Sequence, residues 1–184
     1  MNIAKISKIL KTDGVCVVCK DSHGVQWIGG YAAIYPARGW GELDNDQISE
    51  MFDNGPHDSY FDIKRENDFP FKGKNGKKCE LFDLLKFEAD AGEIIVPVKM
   101  SHGIVFIKDK YLQAIDGYGA RNFYPVEYKT ALGKPIIAFE DAEGNKCGAF
   151  SPYLVDKRIV KALRAIGLSH FLTQKKAQQK GWME

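Results

Sequence analysis

The chain has 184 residues, of which 45% are hydrophobic, 27% charged and 12% aromatic, and its formal net charge is +2. These are the totals of an ordinary globular protein with material for one sizeable core, and no apolar run reaches the length that spans a bilayer. The start, MNIAKISKILKTDG, lacks the uninterrupted apolar stretch of a secretion signal, so a cytoplasmic location is the expectation.

Charge is unevenly spread. From Lys157 onward seven basic residues stand against Glu184, so the last 28 residues carry +6 and the rest −4. Such an asymmetric basic end suits an anionic partner.

In chain order, Ile3–Lys11 fits a helical stripe through Ile3, Ile6 and Leu10. It also reads as a strand, and Asp13-Gly14 as a turn signal favours a strand paired with 15–20. DSHG at 21–24 closes a hairpin whose second arm is Val25–Ile28. Gly29-Gly30 permits a bend, and strand resumes from Tyr31 to Tyr35. Asp44 followed by Gln47 has capping-box spacing, which predicts a short helix with Ile48, Met51 and Phe52 on its apolar face.

Residues 53–78, rich in Gly, Pro, Asn and charge, read as a polar loop or linker in which Phe69-Pro70-Phe71 tethers into the core. Cys79–Phe87 has apolar positions 81, 82, 84 and 85, the pattern of a mostly buried helix. Glu93–Met100 alternates as a strand, and Pro135–Phe139 with Lys146–Phe150 forms a hairpin around Asp141–Asn145. An amphipathic basic helix starts near Asp156, with Ile159, Leu163 and Ile166 on one side and Lys157, Lys161 and Arg164 on another. Gly167-Leu168-Ser169 leads into a second short helix carrying Lys175 and Lys176. The pair has helix-turn-helix spacing, but Leu163 stands where alanine is usual and no third helix packs on it, so a helical hairpin docked on the sheet with its charges in water is the better reading, and non-specific attraction to phosphates is a further one.

Two segments share letters. Val17–Pro36 and Val105–Pro125 align Lys20-Asp21 with Lys108-Asp109, Gln26 with Gln113, Ile28 with Ile115, and Gly30-Tyr31 with Gly117-Tyr118. Ala33, Tyr35 and Pro36 align with Ala120, Tyr124 and Pro125. The expected fold is therefore α+β. It is a mainly antiparallel sheet of about ten short strands built from a duplicated strand-turn-strand unit, with two internal helices and a basic helical end. The divisions are a first repeat (1–52), the polar linker (53–78), a second repeat with an extra hairpin sharing its core (79–155), and the basic helices (156–184).

No catalytic or nucleotide-binding motif is present. Cys16 and Cys19, three apart on a predicted strand, point to opposite faces and cannot share a metal there. A zinc site would need His23, Cys79 or Cys147 brought from afar, so reduced buried thiols are expected, with no metal and no cofactor. Trp27, Tyr31, Tyr35 and Trp40 around the paired glycines would suit a protein-binding surface or fill the space between the repeats. Lys157, Arg158, Lys161, Arg164, Lys175 and Lys176 are the candidate contacts to nucleic acid or an acidic partner.

At LQAIDGYGARNF, the residues Leu112, Ala114, Asp116, Gly117, Tyr118 and Ala120 resemble the A-T-D-G-[YH]-R-L-A segment of bacterial sliding clamps, the β subunit type of DNA polymerase III, with Gly119-Ala120 in place of Arg-Leu. That resemblance implies duplicated helix-plus-strand modules, with Cys79–Phe87 as the helix ahead of the second copy. WIGGYAAIYPARGW is similar to small proteins of phages and mobile elements in Gram-positive bacteria. Such proteins bind host or phage macromolecules, in some cases as inhibitors of CRISPR effectors.

The reading that follows is a non-enzymatic accessory protein that engages a host or phage protein, or a protein–nucleic-acid complex, as a counter-defence inhibitor or a replication accessory. Homo-oligomerisation is left open. The alternative is a small hydrolase with a site between the repeats at His102, Asp109 and Asp116.

Overall fold

The computed structural model describes residues 1–52, 60–69, 71–120, 122–130, 133–153 and 155. The first half runs α1 (Ile3–Asp13), β1 (Val15–Lys20), β2 (Gln26–Gly29), β3 (Ala33–Pro36), α2 (Asn45–Met51), β4 (Asp62–Arg65) and β5 (Phe71–Lys78). The second runs β6 (Glu80–Leu81), β7 (Phe87–Glu88), β8 (Ile94–Met100), β9 (Gly103–Lys108), α3 (Asp109–Gln113), β10 (Tyr124–Thr130), β11 (Pro135–Glu140) and β12 (Lys146–Phe150). The class is α+β with mostly antiparallel sheet, as the sequence implies.

Eight strands form one sheet in the order β4-β1-β2-β3-β12-β11-β10-β5, in which β4 alone lies parallel to its neighbour. A smaller sheet is centred on β8, with β9 along one edge and β6 and β7 sharing the other. The main core lies between them. Cys16, Val18, Ile28, Tyr35, Ile137, Phe139 and Phe150 of the large sheet meet Val96, Val98 and Ile107 of the small one, with α1, α2 and α3 packed around. The other face of the large sheet carries a second cluster of Cys19, Trp27, Ile34, Val126, Tyr128, Ile136, Ala138 and Ala149. Cys16 and Cys19 thus belong to different faces, as their spacing requires, and burial pushes both thiols up to about 12. No helix among the described residues is long and apolar enough to cross a membrane.

Several expectations need correction. Ile3–Lys11 is helix, not strand. Asn2 caps it by accepting the Lys5 N–H, Ile6, Ile9 and Leu10 are buried on one stripe, and Gly14 at φ 68° closes it with a bond to the Leu10 carbonyl. The Asp-Gly signal therefore ends a helix, where the left-handed conformation satisfies orphan carbonyls. Cys79–Phe87 is not a helix. Its ends supply β6 and β7 to the open edge of β8, and Leu84 is left 93% exposed in the connecting turn. The backbone bonds on offer from β8 outweigh a modest helical pattern.

The linker also changes character, since β4 and β5 are its edge strands at opposite ends of the large sheet; residues 53–59 lie outside the described residues. Phe69 does act as a tether, edge-on to Trp27 with centroids 5.0 Å apart. The capping box at α2 is present as read: Asp44 accepts from Gln47 N and Gln47 returns the bond.

The two aligned segments do not share a structure. Asp21 sits in a hairpin turn and accepts from His23 N, Val25 N and Trp27 Nε1. Its counterpart Asp109 opens α3. Gln26 is buried and holds both the N–H and C=O of Leu43, whereas Gln113 takes Lys5 at the surface. The first segment has Gly24 at φ 77° to reverse the chain; the second continues with Lys-Tyr-Leu-Gln, which propagates a helix. A true structural echo lies elsewhere. The turn Asp141–Asn145 repeats the Asp21–Val25 turn, with Asp141 accepting from Glu143 N and Asn145 N.

Phe150 sits at the centre of the main core, against Tyr35 (5.7 Å), Phe139 (5.5 Å) and Tyr111 (6.3 Å between centroids). Phe150→Ala is expected to cost about 3–5 kcal/mol of unfolding free energy in urea titration. Tyr31→Ala, in an exposed turn, is expected to change it by about 0.5 kcal/mol or less.

Candidate functional site

Of the residues nominated as a hydrolase site, His102 and Asp109 do not meet. His102 lies in the turn before β9 and Asp109 follows its far end, so six strand residues, roughly 20 Å, separate them. His102 stands 4.0 Å from the buried Glu127 carboxylate. Asp109 Oδ1 lies 3.1 Å from Lys86 Nζ without hydrogen-bond alignment, so it makes an ion contact only. Asp116 is exposed in the turn after α3.

The four aromatic candidates also separate. Trp27 and Tyr35 are buried on opposite faces of the sheet, which corrects the surface reading for both. Trp27 donates to Asp21, and the Tyr35 hydroxyl donates to the Tyr111 carbonyl. Tyr31 is 63% exposed and Trp40 44%, but they lie beyond opposite ends of β3 and do not form one patch. Lys157, Arg158, Lys161, Arg164, Lys175 and Lys176 lie outside the described residues.

Charge pairing reveals a different surface. Several lysines on or beside the sheets have an acid: Lys20 with Glu42, Lys86 with Asp109, Lys99 with Glu80, Lys146 with Glu140, and both Lys108 and Lys110 with Glu93, while Lys64 of β4 lies over the Tyr31 ring. One edge of the large sheet gathers several lysines that have no acid among the described residues. Strand β5 reads FKGKNGKK, four lysines and no acid, and its neighbour β10 places Lys129 opposite Lys72. Lys77, Lys78, Lys129 and Lys134 are exposed, and none of their ammonium groups has a carboxylate partner among the described residues. The nearby acids are engaged. Glu127, opposite Lys77, is buried and accepts from Ser101 N (3.1 Å) and Oγ (2.7 Å). Glu140 accepts from the Tyr128 hydroxyl at 2.6 Å.

Local sequence shapes this edge. Gly76 lets β5 press onto β10, since a Cβ there would lie 2.2 Å from Val126 Cγ1. Lysines also discourage an open strand edge from pairing with other chains, so part of their purpose is structural. That purpose needs a few charges, and it does not require every local acid to be occupied elsewhere. The signal was present in the sequence as an acid-free lysine run, but its glycines and asparagine made it read as a linker.

A second charged group is internally satisfied. Glu93 accepts from Lys110 at 2.8 Å and Lys108 at 3.2 Å. Burial raises its carboxyl, but the two lysine hydrogen bonds and charges outweigh that and hold it below its ordinary value. Asp13, facing the same lysines, is pushed up by burial against their attraction.

Comparison with known protein families, with curated proteins and with solved structures finds no match to this chain.

A depressed carboxylate stabilises the fold fully above its unfolded value and loses that contribution as pH falls through the folded one. Glu93→Gln should therefore lower the thermal midpoint most near pH 7, with the gap to the parent narrowing below about pH 4. Melting curves across that range check this; a gap independent of pH would contradict it.

Proposed function

We propose that the chain is a non-enzymatic binding protein that engages a nucleic acid, free or within a protein complex, through the lysine edge of β5, β10 and the β10–β11 turn. The observation that carries this reading is the set of four exposed lysines without a carboxylate partner among the described residues, beside two acids, Glu127 and Glu140, that are engaged elsewhere. Phosphate binding needs clustered, uncompensated cations and draws its affinity from released counterions. A basic carboxyl-terminal segment, Lys157 to Lys180, adds charge of the same sign in sequence. Counter-defence inhibition and replication accessory work are both roles for such a protein.

The test is binding of a fluorescently labelled oligonucleotide, followed by anisotropy at several salt concentrations. The parent chain should bind with an affinity that falls steeply with salt. Combined charge reversal, K77E/K78E/K129E/K134E, should weaken binding and flatten the logarithmic salt slope by about 0.7–0.9 for each phosphate no longer neutralised. A parent chain that binds no oligonucleotide at low salt, or a reversal variant with an unchanged slope, would overturn the proposal.

A further inference from the structure

Tyr124 is the first residue of β10 and is 49% exposed. Its neighbours along the same face of the strand are Val126 and Tyr128, both buried, so the tyrosine is the one of the three whose ring stands in solvent. Val126 is the register partner of Lys78, which makes Lys78 the diagonal neighbour of Tyr124, with Cα atoms about 7 Å apart. The other exposed tyrosines are already occupied on one face: Lys64 Nζ lies 5.7 Å over the Tyr31 ring and Lys11 Nζ 4.6 Å over Tyr60. Tyr124 has no ring or cation partner among the described residues. Its register partner Glu140 is held by Tyr128 and Lys146.

Resting on the reading above, we infer that the ligand of this edge is a single-stranded nucleic acid, with its phosphates along β5 and one base stacked on Tyr124. The lysines follow the strand edge from both faces, Lys78 on the face of Val126 and Tyr124, Lys77 and Lys129 on that of Glu127, and so form a line along the edge rather than a broad patch on one face. The eight residues of β5 extend over roughly 25 Å, with Lys78 at the end beside Tyr124 and Lys129 and Lys134 towards the other. A strand edge matches one phosphate chain. A duplex keeps its bases paired and stacked inside and has none to place on an exposed ring, whereas an unpaired base offers its face to any aromatic side chain. Every base has such a face, so the site takes single strands with little sequence preference.

The experiment compares three competitors for a labelled oligothymidylate: an unlabelled single strand, a duplex of equal length, and polyglutamate. It is run on the parent, Tyr124→Ala, Tyr124→Phe and the four-lysine reversal, each first checked for an unchanged melting transition. Single strands should compete best. Tyr124→Ala should weaken single-strand binding about tenfold and duplex binding little, and Tyr124→Phe should restore it, because stacking needs the ring and not the hydroxyl. If the lysine reversal abolishes binding while Tyr124→Ala does nothing, the edge binds phosphates but the stacking inference falls. If duplex competes as well as single strand, the single-strand assignment falls. Competition by polyglutamate alone would assign the edge to an acidic protein, and no binding of any polyanion would remove the underlying reading as well.

Discussion

Strands β3 and β12 meet through two register pairs, Ile34 with Ala149 and Ala33 with Phe150, reinforced by the Ser151 N–H donating to the Ala32 carbonyl. That short seam joins β1–β3, from the first part of the chain, to β10–β12 from the last. Few backbone bonds hold it, so the packing beneath must. Phe150 lies there among Tyr35, Phe139 and Tyr111, and the Tyr35 hydroxyl reaches across to the Tyr111 carbonyl. An aromatic core of this kind removes large apolar area from water and fixes ring geometry. It makes one continuous sheet out of two sequence-distant halves, and α3 is anchored to both through Tyr111.

The small sheet is held in a different way. Its β8–β9 turn is clamped to β10 by Glu127, whose buried carboxylate accepts both the N–H and the hydroxyl of Ser101. A buried carboxylate is tolerated only when such donors replace its water. This clamp has a consequence at the surface, because it removes the one acid that stands opposite Lys77. Structural demand inside the fold thus leaves the adjoining edge positive. The same holds at Glu140, which is occupied by Tyr128 and Lys146. Uncompensated cations of this kind make the local potential positive.

Features governed by neighbours in sequence were legible. Asp44 and Gln47 form their capping box because each bond spans three residues. The Asp141–Asn145 turn follows from residues that tolerate left-handed backbone, and Cys16 and Cys19 face apart because strand periodicity is two. His102 and Asp109, two of the three residues of the hydrolase reading, stand at opposite ends of β9, a separation that no composition reveals. The lysine edge was visible only as letters. Whether KGKNGKK is a linker or an edge strand depends on β10, some fifty residues later, offering it a partner.

The sequence by itself determined the class of the chain, its turns, its caps and the alternation of its strands, since these rest on local sterics and local hydrogen bonds. Tertiary structure decided the rest. It made Ile3–Asp13 a helix by burying one stripe against the sheets, and it drew Glu80–Leu81 and Phe87–Glu88 onto β8 as strands. It gave the two look-alike segments different structures, because matching letters do not carry matching neighbours. It also chose which charges stay unpaired, since only the folded arrangement assigns each carboxylate to a donor.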